Sequence, residues 1–360
     1  LKNLNNMHVV ISNSINNGYV YGGYNIGGFV GMVDSLEERI DVLVTNCTND
    51  GIVNGSFVIG GFFGHLNKAE NSTLVVSNSK NNGVIVSIED DVGSFFGRLF
   101  IGKSMIARMI NDTNNGEVIG NGNVGGFIGR LDNSERMDIV NCSNNGSIKV
   151  HDSQTFVGGI IGGMENDDIQ HSSMLVLSSI TNNHSIVVGC NSCSVGGLIG
   201  IVSEMVFVDI VIQDVTTNGL MVVNGSGTNP SVGGFIGSAT ENSNLTLTIS
   251  HSANHFDIST QHVNKVGGFI GALTNTKNII NEPKINLANC SNQGTITCDD
   301  ASFVGGLVGY VSHVESVDII DCENNGIINV TKGSSNVGGL IGWYTNEKNV
   351  IVTPVVTISN

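Results

Sequence analysis

The sequence predicts an all-β protein: a parallel β-helix, or β-solenoid, of about ten coils of 32–38 residues with three strands per coil. Three observations lead there. The hexapeptide Val-Gly-Gly-Phe-Ile-Gly at Val124–Gly129 has nine close copies, whose final glycines are Gly31, Gly64, Gly97, Gly129, Gly162, Gly200, Gly237, Gly271, Gly309 and Gly342. A fixed period of this length marks a stacked repeat. Apolar residues recur at the same offsets in every unit, so like side chains stand over one another. Glycine is 48 of 360 residues and proline only 3, which suits tight coils rather than a disordered Pro/Gly segment. At about 4.8 Å per coil the rod is roughly 50 Å long, and parallel crossovers favour right-handed winding. A β-propeller is the rival, but its blades need about 40–50 residues each.

Each unit opens with a strand. Val9, Val42, Leu74 and Ala107 begin one apolar column, and Ile11, Val44, Val76 and Met109 begin another two residues on. Period-two spacing with β-branched residues says strand, with this face buried. A turn follows, most often Asn-Asn-Gly. Asparagine tolerates left-handed backbone and glycine has no Cβ, so the pair suits a sharp bend. The first Asn recurs as Asn16, Asn49, Asn81, Asn114, Asn144, Asn182, Asn254, Asn292 and Asn324, and only Thr217 breaks the column. Stacked amides in such a column form a side-chain ladder, as in cross-β stacks.

A short second strand carries the column Val20, Val53, Ile85, Val118, Ile148, Ile186, Met221, Ile258, Ile296 and Ile328. A polar loop of variable length, longest around Asn224–Ser231, leads to the hexapeptide. Both parities there are apolar, Phe29 and Val30 or Phe62 and Phe63, which reads as a strand buried on both faces. One face lines the coil. The other needs a cover from a loop or from a second molecule.

This pattern resembles the GLUG-type repeat, an Asn-Asn-Gly turn, an aliphatic strand and Val-Gly-Gly-Leu-Val-Gly. Asn324-Asn325-Gly326 with Val337–Gly342 is a close match, and Val304–Gly309 reads Val-Gly-Gly-Leu-Val-Gly outright. The resemblance covers essentially residues 1–360 as a single array. It implies a β-solenoid from a large surface or secreted protein, where such repeats flank catalytic parts rather than form them. Asn183-His184 and His255-Phe256 depart from Asn-Gly, so looser turns are expected there. Leu1 already lies inside a repeat, and Val355–Asn360 reads as the opening strand of an eleventh unit. Neither end has the polar cap a solenoid needs, so the chain reads as a segment of a longer one.

The formal charge of −16 argues against nucleic acid as a partner, and no apolar run is long enough to span a membrane. Cys290 and Cys322 occupy one column in adjacent coils, within disulfide reach, although buried free thiols fit that column too. Cys190-Asn191-Ser192-Cys193 lies in a polar loop, where a redox motif is not expected. His251 and His255 flank a turn and share no helix face, so no metal site is expected. Asp90-Asp91, Asp167-Asp168 and Asp299-Asp300 read as solvated loop carboxylates. Candidate N-glycosylation sequons stand at Asn46, Asn54, Asn71, Asn224, Asn244 and Asn329, with others at Asn111, Asn141, Asn145, Asn183 and Asn289.

No cofactor and no catalytic constellation are expected. The leading functional expectation is a non-enzymatic extracellular or cell-surface segment, a rigid stalk or adhesive scaffold with a protein or glycan partner. One alternative is self-association into a filament or sheath through apolar strand faces and uncapped ends. Another is a carbohydrate-active β-helix, which needs a row of exposed carboxylates in one groove.

Overall fold

The computed structural model describes residues 7–34, 39–133, 135–151, 154–165, 172–227, 229–275, 283–332, 336–345 and 355–359. It is a parallel β-solenoid, and the described residues contain no helix. Opening strands from Met7–Ser12 to Val355–Ser359 form an 11-stranded sheet, every neighbouring pair in parallel register. Val9 stands opposite Val42, then Leu74, Ala107, Met137 and Leu175, as the column predicts. The turn column and the second strand share an 18-stranded sheet. Asn16 through Asn324, with Thr217 among them, form one register line through it.

The hexapeptide does not stay one strand. It breaks after its first glycine, giving Ile26–Gly27 to one 10-stranded sheet and Val30–Asp34 to another. The break is a repeated bend: Phe62 N–H and Phe63 N–H both donate to Phe95 O, at 3.2 and 2.8 Å, while the register stays one to one with Phe63 opposite Phe96. Every coil turns at the same place, from one sheet into the next. Phe62 and Phe63 therefore both point inward, into the same core, and both are fully buried. The second apolar column needs no cover from a loop or another molecule. The expectation that it did assumed strict alternation along one strand, which the bend between sheets suspends.

The bend divides the interior into two cores. The larger lies between the opening sheet and the second half of the hexapeptide, and holds both phenylalanine columns. The smaller lies between the second strand and the first half, around Val53, Ile59, Ile85 and Val92. Between them is a waist. There the third hexapeptide residue, glycine in nine copies and Ser94 in one, meets the asparagine column. A Cβ on Gly61 would lie 2.8 Å from Asn81 Oδ1 and closer still to Ser94 O, so Gly61 itself cannot gain a side chain without displacing backbone, although the next coil accommodates Ser94, whose hydroxyl donates to Gly126 O. Phenylalanine rings stack along the large core at 4.9, 4.7 and 5.0 Å, from Phe29 through Phe62 and Phe95 to Phe127.

The tight corner is not where the sequence placed it. The left-handed residue is the one that ends the opening strand: Asn13, Asn46, Asn78, Asn111, Asn141, Ser179, Asp214, His251, Asn289 and Asp321, with φ from 48° to 58°. Asparagine and aspartate accept that region more readily than other side chains. In Asn-Asn-Gly the glycine is instead required by close approach, since a Cβ on Gly116 would strike Gly83 O in the coil below. Where Asn-Gly is lost the two turns differ. Around Asn183-His184 the chain still breaks between Thr181–Asn183 and Ile186–Cys190, whereas His255-Phe256 lies inside the unbroken strand Ala253–Gln261, as Asn218-Gly219 does inside Thr216–Gly225.

Candidate functional surfaces

The asparagine column forms an internal amide ladder in two runs. Asn16 Nδ2 donates to Asn49 Oδ1 at 2.8 Å, and the pattern continues through Asn81 and Asn114 to Asn144, at 2.7, 2.9 and 2.9 Å. It stops there. Asn144 Nδ2 turns to Gly159 O at 2.7 Å, and Asn182 Nδ2 turns to Gly197 O. It resumes with Thr217 Oγ1 donating to Asn254 Oδ1 (2.7 Å), then Asn254 to Asn292 (2.8 Å) and Asn292 to Asn324 (2.7 Å). A second, exposed file runs outside the first and crosses its gap: Asn82 to Asp50, Asn115 to Asn82, Asn145 to Asn115, Asn183 to Asn145 and Asn218 to Asn183.

The gap has a cause. His184, 4% exposed, fills the place of the missing turn glycine. Its ring meets Phe256 edge-on at 5.7 Å, and neither ring nitrogen has a partner. Burial holds it neutral, its pKa lowered to about 3.

Cys290 and Cys322 are separate thiols rather than a disulfide. Cys290 N–H donates to Cys322 Sγ at 3.4 Å, while the Cys290 thiol faces Ile249 O at 3.4 Å and Ala288 O at 3.3 Å. The closeness of the two thiols lowers Cys322 to about 7 and raises Cys290. The column they share serves backbone: Ser79, Asp112 and Ser252 in it each accept an N–H from the coil below. Asp112 is buried in this role, and burial lifts its carboxyl to about 7. The one disulfide among the described residues joins Cys190 to Cys193, where the sequence argued only against redox chemistry. Both sulfurs lie in the small core.

Outside the waist the two hexapeptide sheets meet in a re-entrant crease. The first and last hexapeptide glycines face into it: a Cβ on Gly97 would lie 2.6 Å from Ile59 N and 2.8 Å from Val58 C. Side chains just beyond close the crease, as Ser194 Oγ and Ser238 Oγ do at 2.6 Å. Three coils carry charge there. Asp132 binds Arg98 Nε at 2.7 Å and Arg130 Nε at 2.9 Å, and Arg130 reaches Glu165 at 2.7 Å. Asp91 accepts from Asn123 Nδ2 at 2.7 Å. It is 1% exposed, not the solvated loop carboxylate expected of Asp90-Asp91; burial, then the nearby Asp90, raises its pKa to about 7. Asp91 and Asp132 are thus buried and paired, and do not form the open row a carbohydrate-cleaving site needs. Only coordinates could find this cluster, because its members lie in three separate repeats.

Asp300 is exposed beside His262 at 3.1 Å, while Asp167-Asp168 lies outside the described residues. No group of three or more His, Cys, Asp or Glu side chains among the described residues is placed to hold a metal. Sequons Asn46, Asn71, Asn224 and Asn329 are exposed, and Asn54 and Asn244 partly so. Asn145 and Asn183 are engaged in the outer amide file.

No family model, no curated protein and no solved structure matches this chain. The likeness to GLUG-type repeats therefore rests on the residues quoted above.

Proposed function

We propose that this chain is a non-enzymatic, rigid scaffold of an extracellular or cell-surface protein, a GLUG-like stalk that presents its outer faces and loops to a protein or glycan partner. The observation that carries this reading is the unbroken register of the stack. Successive coils are tied by backbone ladders, ring stacks and buried amides, and little of that can bend without breaking many bonds together. The buried Cys190–Cys193 disulfide supports an oxidising compartment. Inward-facing Phe62 and Phe63 remove the apolar seam that motivated lateral assembly into a sheath. The buried pairing of Asp91 and Asp132 likewise favours binding over cleavage.

The test has two parts. Intact cells making the full-length protein are labelled with a membrane-impermeant amine reagent, and the purified chain is measured by small-angle scattering. Surface labelling and a rod-like profile are expected. Label reaching the protein only after lysis, or a compact spherical profile, overturns the reading.

A further inference from the structure

The first two coils carry a surface unlike the rest of the rod. Tyr19, Tyr21 and Tyr24 are 64%, 70% and 69% exposed, and they are three of the chain's five tyrosines. Tyr19, just before the strand Val20–Gly22, and Tyr21 within it both face outward, and their rings lie parallel, 9° apart with centroids at 6.4 Å. Tyr24 stacks on Phe57 of the next coil at 4.3 Å and 3°. Asn54 Nδ2 donates to Tyr19 Oη at 3.4 Å, which ties the two coils across the patch.

The segments that carry the rings hold no charge: no Asp, Glu, Lys or Arg occurs from Asn3 to Val33, nor from Gly51 to His65. The charges that border the patch are acidic, since Glu89 N–H donates to Ser56 O at 2.9 Å and so places Glu89-Asp90 beside Ser56-Phe57 in the next coil. The tyrosine rings keep hydroxyl groups at their rims. Flat apolar faces bordered by hydroxyls and side-chain amides match one ligand chemistry well: a pyranose ring. Its axial C–H face lies on an aromatic plane, and its equatorial hydroxyls find donors and acceptors at the edge. These charges select a neutral sugar, because an acidic one meets carboxylates at the border and a net-negative chain around it. The rings are held by their strand and by stacking, so little freedom is lost on binding.

We propose that Tyr19, Tyr21, Tyr24 and Phe57 form a binding platform for a neutral oligosaccharide. The inference rests on the scaffold reading only in supplying that scaffold with its partner. It is tested on the purified chain, so its failure leaves rod shape and surface exposure untouched.

The probes are hexamers of β-linked glucose, xylose and mannose, with a hexamer of galacturonic acid as the charged comparison, titrated by calorimetry. At least one neutral hexamer is expected to bind saturably, and the uronate at least tenfold more weakly. Tyr21→Ala and Tyr24→Ala are each expected to weaken binding at least fivefold, and the pair to abolish it. All are surface changes, and unchanged thermal melting confirms the fold. Trp343→Ala, at an exposed ring in the last hexapeptide coil, is expected to change nothing. Four outcomes overturn the proposal: no neutral hexamer binds, the uronate binds as tightly, the tyrosine variants bind like the parent, or the double variant instead shifts a monomer–dimer equilibrium in sedimentation.

Discussion

Two stretches of this rod solve the same problem differently. From Asn16 to Asn144 the inner amides hydrogen-bond to one another, and glycine stands two residues after each of them. From Asn144 to Thr217 the inner chain of bonds is broken, and two residues after Asn182 and Asn254 the aromatic rings of His184 and Phe256 stand where glycine would. The backbone register is the same in both. A parallel stack therefore does not depend on the ladder. The ladder is one way to satisfy buried polar groups at the waist. Ring packing is another, at the cost of leaving His184 without a hydrogen bond.

The comparison can be broken most forcefully through glycine. A Cβ on Gly125 would overlap Ile128 O and crowd Gly162 N at 2.9 Å, whereas Gly189 has nothing within 4 Å. Gly125→Ala is expected to cost about 4 kcal/mol or prevent folding, and Gly189→Ala less than about 0.5 kcal/mol, by urea denaturation. Equal costs would mean that the hexapeptide glycines are not needed for close approach.

Next in size is the ladder. Asn81 accepts from Asn49 and donates to Asn114 and Gly83 O, while Asn182 donates to Gly197 O and its Oδ1 has no partner. Asn81→Ala orphans buried groups on both sides and is expected to cost about 3 kcal/mol; Asn182→Ala is expected to cost about 1 kcal/mol. Similar values for the two would show that ladder bonds add nothing beyond their local contacts.

The same two stretches predict opposite dependences on acidity. Asp112 keeps its proton to about pH 7 when folded and releases it near 3.8 when unfolded. Its contribution to stability is complete below 3.8 and lost as pH rises through 7. His184 stays neutral to about pH 3 when folded and protonates near 6.5 when unfolded. Its contribution is complete above 6.5 and lost as pH falls toward 3. Asp112→Asn should flatten the decline between pH 4 and 7, and His184→Phe the decline on the acid side, each by on the order of 2 kcal/mol across its window. A variant whose stability curve runs parallel to the parent's would refute that assignment. The smallest effect is at neutral pH. There His184→Phe removes two unpartnered nitrogens and is expected to gain about 1 kcal/mol.

Much of this was legible before any coordinates. Register follows from columns such as Val9, Val42 and Leu74, because a parallel stack pairs residues one period apart. The asparagine column was legible for the same reason. The inward turn of both Phe62 and Phe63 was not, because alternation is the default and a bend between two sheets has no single-residue signature. Nor was the left-handed corner: Asn46 precedes Cys47, with no glycine to mark it. Attention went instead to Asn-Asn-Gly, where glycine serves a contact between coils. Burial of Asp91 escaped for a further reason. Its partner Asn123 comes from the next repeat, and a charged pair in a loop looks solvated until the crease closes over it.

The sequence by itself determined the stacked fold, the pairing of each residue with its counterparts one period away and the identity of the apolar columns of the opening strand, second strand and hexapeptide, since translation by one repeat maps each side chain onto its like. Only the tertiary structure decided how each coil bends: the waist between two cores, the gap in the ladder, the crease and its charges. Those depend on distances across a coil, between residues at different repeat positions, and periodicity carries no information about them.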